Sequence, residues 1–245
     1  MIMKLTVIGY WGGYPAADGA TSAYLLEKDG FTLLVDAGSG SLSKLQKYIS
    51  PNELNAVILS HYHHDHVADI GVLQYARLVS YYITGVQEVL PIYAHTEDQK
   101  FASLTHEYTK GIEYNPEKPL EVGPFRITFL KTKHPVPCYG MRITDGKSSI
   151  VYTADTAYTE EWVPFASNAD LLIADCNFYA DQDGSNAGHM TSKECGTIAD
   201  QANVKQLLLS HLPQYRERNQ LVTEAKHYYQ GSVNLAAEGF IWRNT

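Results

Sequence analysis

Four histidines and an aspartate fall within six consecutive positions, His61-Tyr62-His63-His64-Asp65-His66. Imidazole and carboxylate are the donors that zinc and similar divalent ions take. His61 and His63 stand at i and i+2, so in an extended segment both side chains point to the same side. Asp65 and His66 are adjacent and enter a helical turn, so they aim elsewhere. One short loop can then present donors to two neighbouring ions. His64 is the odd position and is not assigned as a ligand. The plain alternative is a solvated histidine-rich loop.

Other segments count against that alternative, because several further apolar runs also end in donor residues. Ile127–Leu130 leads to His134, Ile150–Thr153 to Asp155, Leu171–Ile173 to Asp175, and Leu207–Leu209 to Ser210-His211. Leu59-Ser60-His61 and Leu209-Ser210-His211 repeat one device. In a layered α/β fold, donors at the same end of several strands converge on one cleft. A binuclear metal site is the expectation.

The elements that must position these residues read as follows. Strands are expected at Lys4–Ile8, Ser22–Leu26 and Thr32–Val35, the last two joined by a turn at Asp29-Gly30. The apolar run Asn55–Leu59 precedes the histidine loop. A helix is expected from Asp65 to about Ser80, with Val67, Ile70, Leu73, Leu78 and Val79 on its apolar side. A strand at Leu90–Ala94 and a helix over Glu97–Thr109 follow. Strands come next at Phe125–Leu130, Tyr139–Thr144 and Ile150–Thr153, with a hairpin turn at Asp145-Gly146. Beyond these lie a helix near Thr159–Ala166, a strand at Leu171–Ala174, and a helix over Ser192–Ala202 capped by Thr191 or Ser192. The series ends with a strand at Leu207–Leu209, a helix over Asn219–Tyr229 and a strand at Phe240–Trp242. Hairpins early and strand–helix alternation later suggest an α+β fold, a four-layer αββα sandwich of two mixed sheets covered by helices. With no linker and no repeat, residues 1–245 are expected as one domain. The tyrosine-rich stretch 81–118 is expected to cover the active site in part.

Composition sets outer limits. An apolar share of 44% and a charged share of 19% are those of a globular chain. The net charge of -8 repels phosphate polymers and argues against a broad nucleic-acid footprint. Three cysteines, an odd number without a CxxC pair, argue against a disulfide framework or a structural zinc knot. The apolar run Leu5–Ile8 is too short for a signal peptide, and no run reaches the roughly 18 apolar residues a membrane span needs. A cytoplasmic protein without membrane contact is expected.

His61-x-His63-x-Asp65-His66, followed by His134, Asp155 and His211, resembles the signature of the metallo-β-lactamase superfamily, and Val35-Asp36-Ala37-Gly38 resembles its early Asp-x-Gly turn. The resemblance runs through nearly the whole chain. Within the superfamily it points to the ribonuclease Z-like phosphodiesterases. Gly9, Gly12, Gly13 and Pro15 with Thr21-Ser22 resemble that branch's glycine-rich turn, and Gly188-His189-Met190-Thr191 resembles its Gly-His-Ser-Thr segment. The resemblance implies that His61, His63 and His134 hold one divalent ion and Asp65, His66 and His211 the other, with Asp155 bridging. The ions would be zinc, with manganese or iron(II) as alternatives. A metal-bridging hydroxide is then the nucleophile, Asp65 orients it, and His189 serves the leaving oxygen or the phosphoryl group. Asp175 could orient His189 or a ligand histidine, or be a plain structural carboxylate.

Two departures bear on the substrate. Where ribonuclease Z has His-Glu-Ala-Thr, this chain has Ala174-Asp175-Cys176-Asn177. The stretch between His134 and Asp155 is already occupied by two expected strands, so the tRNA-gripping arm has no place. A compact phosphodiester is therefore favoured over RNA, and the chain could act as a homodimer. Two other readings remain: a thioester, lactone or β-lactam hydrolase of the same fold, and a non-catalytic metal-binding scaffold. Tyr81, Tyr82, Tyr108, Tyr114 and Tyr139 are candidate stacking surface, with core packing as the alternative. His95, His106 and His227 receive no functional role.

Overall fold

The structure is a computed structural model and describes residues 2–85 and 88–244. Two compact units make up the chain, each built on one seven-stranded mixed sheet. Strands are numbered along the chain.

The first unit comprises Met1–Asn115 and Ala237–Arg243. Its strands are β1 (Lys4–Gly9), β2 (Ala23–Lys28), β3 (Phe31–Val35), β4 (Ala56–Ile58), β5 (Leu90–Ala94), β6 (Thr109–Glu113) and β14 (Ile241–Arg243), in the order β14-β1-β2-β3-β4-β5-β6. From β14 to β3 the neighbours are antiparallel, and from β3 to β6 they are parallel. Asp29 and Gly30 both have positive φ, 51° and 83°, which is what the tight hairpin turn between β2 and β3 needs. β4 is buried at all three residues, as a strand with a parallel neighbour on each side should be. The core gathers Ile8, Leu25, Leu34, Val57, Leu59, Ile70, Leu73 and Ile92.

The expected long helix after the histidine loop is two helices. α2 (His64–Val67) is a single turn, and α3 (Ile70–Thr84) follows α1 (Ser41–Leu45) and α2 in chain order. The break has a cause: Asp69 donates its N–H to Ala37 O, and its carboxylate accepts from Leu42 N at 2.8 Å. Both bonds draw the chain off the helix axis. The buried face of α3 is Ile70, Leu73 and Arg77, while Val79 points outward. Arg77 is buried because its guanidinium donates to the Pro51 and Glu88 carbonyls.

The helix expected over Glu97–Thr109 is absent. A short 3-10 helix, Gln99–Leu104, stands there, capped by Asp98, and Thr109–Glu113 is β6, paired in parallel with β5. Leu104 alone is buried in that short helix, so no apolar stripe supports a longer one, and the backbone beyond satisfies itself on the sheet edge. The stretch 81–118 therefore contributes two strands, β5 and β6, to the sheet.

The second unit is Pro116–Ala236 with Asn244. Its strands are β7 (Leu120–Val122), β8 (Phe125–Lys131), β9 (Tyr139–Thr144), β10 (Ser149–Tyr152), β11 (Leu171–Asp175), β12 (Gln206–Ser210) and β13 (Ser232–Leu235), each paired with the next. Again the sheet divides: antiparallel from β7 to β10, parallel from β10 to β13. β10 and β11 are buried at every residue. The helices are α4 (Trp162–Phe165), α5 (Ser192–Gln201) and α6 (Asn219–Lys226), each shorter than expected. The cap of α5 is Thr191: its hydroxyl accepts from Glu194 N, and the Glu194 carboxylate accepts from Thr191 N at 2.8 Å. β7 and β13 are short edge strands that local pattern did not reveal. No helix among the described residues is long and apolar enough to cross a membrane.

Candidate metal centre

In the first unit the parallel neighbours β3 and β4 deliver Asp36 and Ser60-His61 at their C-terminal ends. Asp36 is fully buried and sits at φ 58°, a backbone region Asp tolerates better than most residues. Its carboxylate accepts from Ser60 N and from the Ser60 hydroxyl, each at 2.8 Å, and from His66 Nδ1 at 2.7 Å. Because the Ser60 proton goes to Asp36, the 3.0 Å bond between Ser60 Oγ and His61 Nδ1 must be donated by the ring. One carboxylate thus places the proton on Nδ1 of both His61 and His66 and leaves each lone pair on Nε2. That is the tautomer a metal ligand needs.

His61 is the hub of this loop. Its ring centroid lies 4.1 Å from that of His66 and 4.8 Å from that of His63. His63 is extended and directly precedes α2, so it escapes the helical turn that carries Asp65 and His66. Asp65 Oδ2 accepts from Gly13 N at 2.8 Å and lies 3.6 Å from His66 Nε2. The glycine-rich turn therefore orients a carboxylate of the loop. Gly38 lets the loop approach β3: a Cβ there would lie 2.0 Å from Asp65 O. His64 is exposed, as its odd position implied.

In the second unit the C-terminal ends of β10, β11 and β12 carry Asp155, Asp175 and His211. His211 Nε2 lies 3.4 Å from Asp155 Oδ1, and His134 Nε2 lies 3.9 Å from Asp155 Oδ2. His134 donates Nδ1–H to Gly188 O at 3.1 Å, which again leaves the lone pair on Nε2. His211 has φ 53°, a strained conformation for a non-glycine residue, and its carbonyl is held by Asn177 Nδ2 at 2.9 Å. Asp175 serves two imidazoles. Its Oδ2 accepts from His189 Nδ1 at 2.8 Å, and its Oδ1 lies 3.3 Å from His211 Nδ1. The donor atoms of Asp155, Asp175, His189 and His211 all lie within 4.8 Å of one another.

Charge follows this geometry. Burial opposes ionisation of Asp175, but the His189 and His211 imidazoles outweigh it and hold the carboxyl below its ordinary range. Burial also opposes protonation of His189, yet Asp175 more than offsets it and raises that imidazole above its ordinary value. His189 stacks on His211 with centroids 4.9 Å apart.

The structure therefore brings His61, His63, Asp65 and His66 together in one unit, and His134, Asp155 and His211 together in the other, with His189 and Asp175 beside them. Imidazole nitrogens with assigned tautomers and buried carboxylates fit divalent ions. Local sequence assigns no role to Ser60 or Asn177, and it marks Asp36 only as part of a turn. A signal existed for Asp36: it ends an apolar strand as Asp155 and Asp175 do. Tyr114 and Tyr139 are buried core residues and offer no stacking surface. His95 is likewise buried, against Tyr62 and Tyr114.

The beta-lactamase superfamily domain matches residues 32–212. The chain is 54% identical to the probable metallo-hydrolase YhfI of Bacillus subtilis (strain 168), over 98% of this chain and 99% of that protein. It superposes on the crystal structure of YhfI with a TM-score of 0.98, covering 100% of both chains. Ribonuclease Z of Metallosphaera sedula is a more distant relative, 25% identical over 93% of this chain and 94% of its own length. A diphosphatase from the PhnP family shares the fold, with a TM-score of 0.77 at 16% identity over 99% of this chain and 98% of its own. The two mixed sheets with flanking helices are the metallo-β-lactamase fold, and the His/Asp clusters are those of a metallo-hydrolase. The chain belongs to the metallo-β-lactamase superfamily.

Proposed function

We propose that this metallo-hydrolase cleaves phosphodiesters in the manner of the ribonuclease Z-like branch, and that it prefers compact ones. The observation that carries the reading is His189, anchored by Asp175 and stacked on His211. Hydrolysis of an alkyl phosphodiester must protonate a poor leaving group, an alkoxide. A half-buried imidazole with a raised pKa is suited to that task. Asp175 holds the proton on Nδ1, so the opposite edge, Nε2, faces the leaving oxygen as donor when the ring is charged. Asp65, held by Gly13, orients the attacking water. Bound divalent ions would polarise the phosphoryl group and lower the pKa of a water. By the family resemblance, His61, His63 and His134 would hold one ion and Asp65, His66 and His211 the other, with Asp155 serving both.

The names of two relatives, a ribonuclease and a diphosphatase, support phosphoester chemistry. The preference for a compact substrate rests on two features of this chain. Between His134 and Asp155 lie only the β9–β10 hairpin and its short connections, and the net charge of -8 gives no long-range attraction to a polyanion. The acyl-hydrolase reading has no use for an Asp-anchored imidazole beside the last ligand. The scaffold reading leaves unexplained why all seven ligand positions are filled.

The metal-reconstituted protein is expected to turn over bis-p-nitrophenyl phosphate and small cyclic diesters. It should leave p-nitrophenyl esters, thioesters and β-lactams largely intact, and its kcat/KM for precursor tRNA should fall well below that for the small diester. Acyl turnover exceeding diester turnover would discard the reaction class, whereas efficient tRNA trimming would discard only the preference for size. Metal analysis after purification without chelator should approach two equivalents per chain. Saturation at one equivalent would rule out the binuclear assignment.

A further inference from the structure

The glycine-rich turn after β1 carries two aromatic residues with opposite fates. Trp11 is buried, and a Cβ on Gly19 would lie 2.5 Å from its Nε1, so the indole is tightly closed over. Tyr10 N and Trp11 N both donate to Ala20 O, at 3.0 and 3.2 Å, which fixes the base of the turn. Tyr14, three residues on, leaves 63% of its surface open. Before it stands Gly13 at φ 70°, and Tyr14 N donates to Gly12 O at 2.8 Å across that glycine. A positive φ closed by an i→i+2 bond is the rare γ-turn, a strained reversal that glycine tolerates best. It aims Gly13 N at Asp65 Oδ2, 2.8 Å away, and it leaves Tyr14 facing outward beside that carboxylate.

Given the phosphodiesterase reading above, on which this rests, we propose that Tyr14 selects the ester group of the substrate by stacking on a nucleobase carried by a compact phosphodiester. Its position suits that role. Asp65 Oδ2 lies 3.6 Å from His66 Nε2, the nitrogen left with its lone pair for a metal. Consecutive Cα atoms are about 3.8 Å apart, so Tyr14 begins one residue from a group that touches the metal loop. A Cβ on Gly13 would meet nothing within 4 Å, so the space on this side of Asp65 is open. Tyr14 supplies there the side chain that Gly13 lacks.

The ring is also held in place before any ligand arrives. The γ-turn fixes the chain ahead of Tyr14, and Pro15 restricts Tyr14 itself to extended backbone. An aromatic side chain with two torsions on a fixed backbone loses little conformational entropy when a ligand covers it. A single exposed tyrosine is ordinary on a protein surface. One fixed by a strained turn against the water-orienting carboxylate is not, because such strain is retained where it serves a site. A flat ring face favours a flat partner. Every base has a π-face, so the site takes nucleotide esters as a class rather than one base.

The metal-reconstituted full chain should bind 2-aminopurine riboside 5′-monophosphate more tightly than ribose 5-phosphate by roughly 5–150-fold, the range of one base stack. Binding should quench the 2-aminopurine emission, as stacking does. Tyr14→Ala should erase the preference and most of the quench, whereas Tyr14→Trp should keep both. The substituted ring is mostly exposed, so the far-UV spectrum should not change. With the p-nitrophenyl ester of thymidine 5′-monophosphate as substrate, Tyr14→Ala should raise KM by the same roughly 5–150-fold and lower kcat far less, as loss of uniform binding does. The binding arm needs no turnover: a quench that depends on Tyr14 without diester cleavage supports the stacking role and discards only the reaction class. A parent chain with no preference for the nucleotide, or a preference that Tyr14→Ala retains, overturns the proposal. So does an equal loss for both ligands, which would make Tyr14 a prop of the Asp65 turn or a contact of the sugar.

Discussion

Replacing His189 with alanine is expected to lower kcat for an alkyl phosphodiester by about 10²–10⁴-fold, the usual worth of general acid–base catalysis. Both metal equivalents should be retained. The ring donates to Asp175, which still accepts from Thr156 N and lies beside His211 once the imidazole is gone. The second cluster therefore keeps its anchor. Leaving-group dependence separates an acid from a spacer. With p-nitrophenolate, which departs without a proton, the same variant should lose far less. Equal losses on good and poor leaving groups, or a fall in bound metal, would remove the proton-donor role and leave His189 a structural residue.

The second large effect is expected at Asp36. Asp36→Asn keeps the left-handed backbone, which asparagine tolerates, and keeps the volume. It removes one of the two acceptor oxygens that face three donors: Ser60 N, Ser60 Oγ and His66 Nδ1. Whichever way the amide is turned, an N–H meets another donor. Loss of such an orienting partner typically weakens metal affinity by about 10–100-fold. Leaving a buried donor without an acceptor costs about 1–3 kcal/mol of stability. Chelator competition would measure the first effect and thermal unfolding of the metal-free protein the second. An unaltered metal affinity would show that His61 and His66 do not depend on Asp36 for their tautomers. Ser60→Ala should give a smaller loss confined to His61, because His66 contacts the carboxylate directly.

Much of this centre was legible from local pattern. The donors lie at the ends of apolar strands, and runs such as Leu171–Ala174 and Leu207–Leu209 declare themselves as buried strands by composition alone; the structure extends them to Leu171–Asp175 and Gln206–Ser210. The turn at Asp29-Gly30 and the cap of α5 are local chemistry, decided within a few residues: the turn formed as read, and of the two cap candidates, Thr191 and Ser192, Thr191 takes the role with Glu194. The metallo-β-lactamase resemblance likewise rests on spacing along the chain.

Tertiary structure decided what depends on partners far away in sequence. Thr109–Glu113 carries no strand signal strong enough to stand alone and becomes β6 because β5 offers it an edge. The helix after the histidine loop breaks because Asp69 bonds Ala37 and Leu42, and Arg77 turns inward because the carbonyls of Pro51 and Glu88 await it. Ser60 and Asp36 are 24 positions apart, and their bond, which assigns the His61 proton, exists only once β3 and β4 are neighbours. A donor's identity is thus local, whereas its tautomer and aim are set by hydrogen bonds that the sheet must first bring within reach.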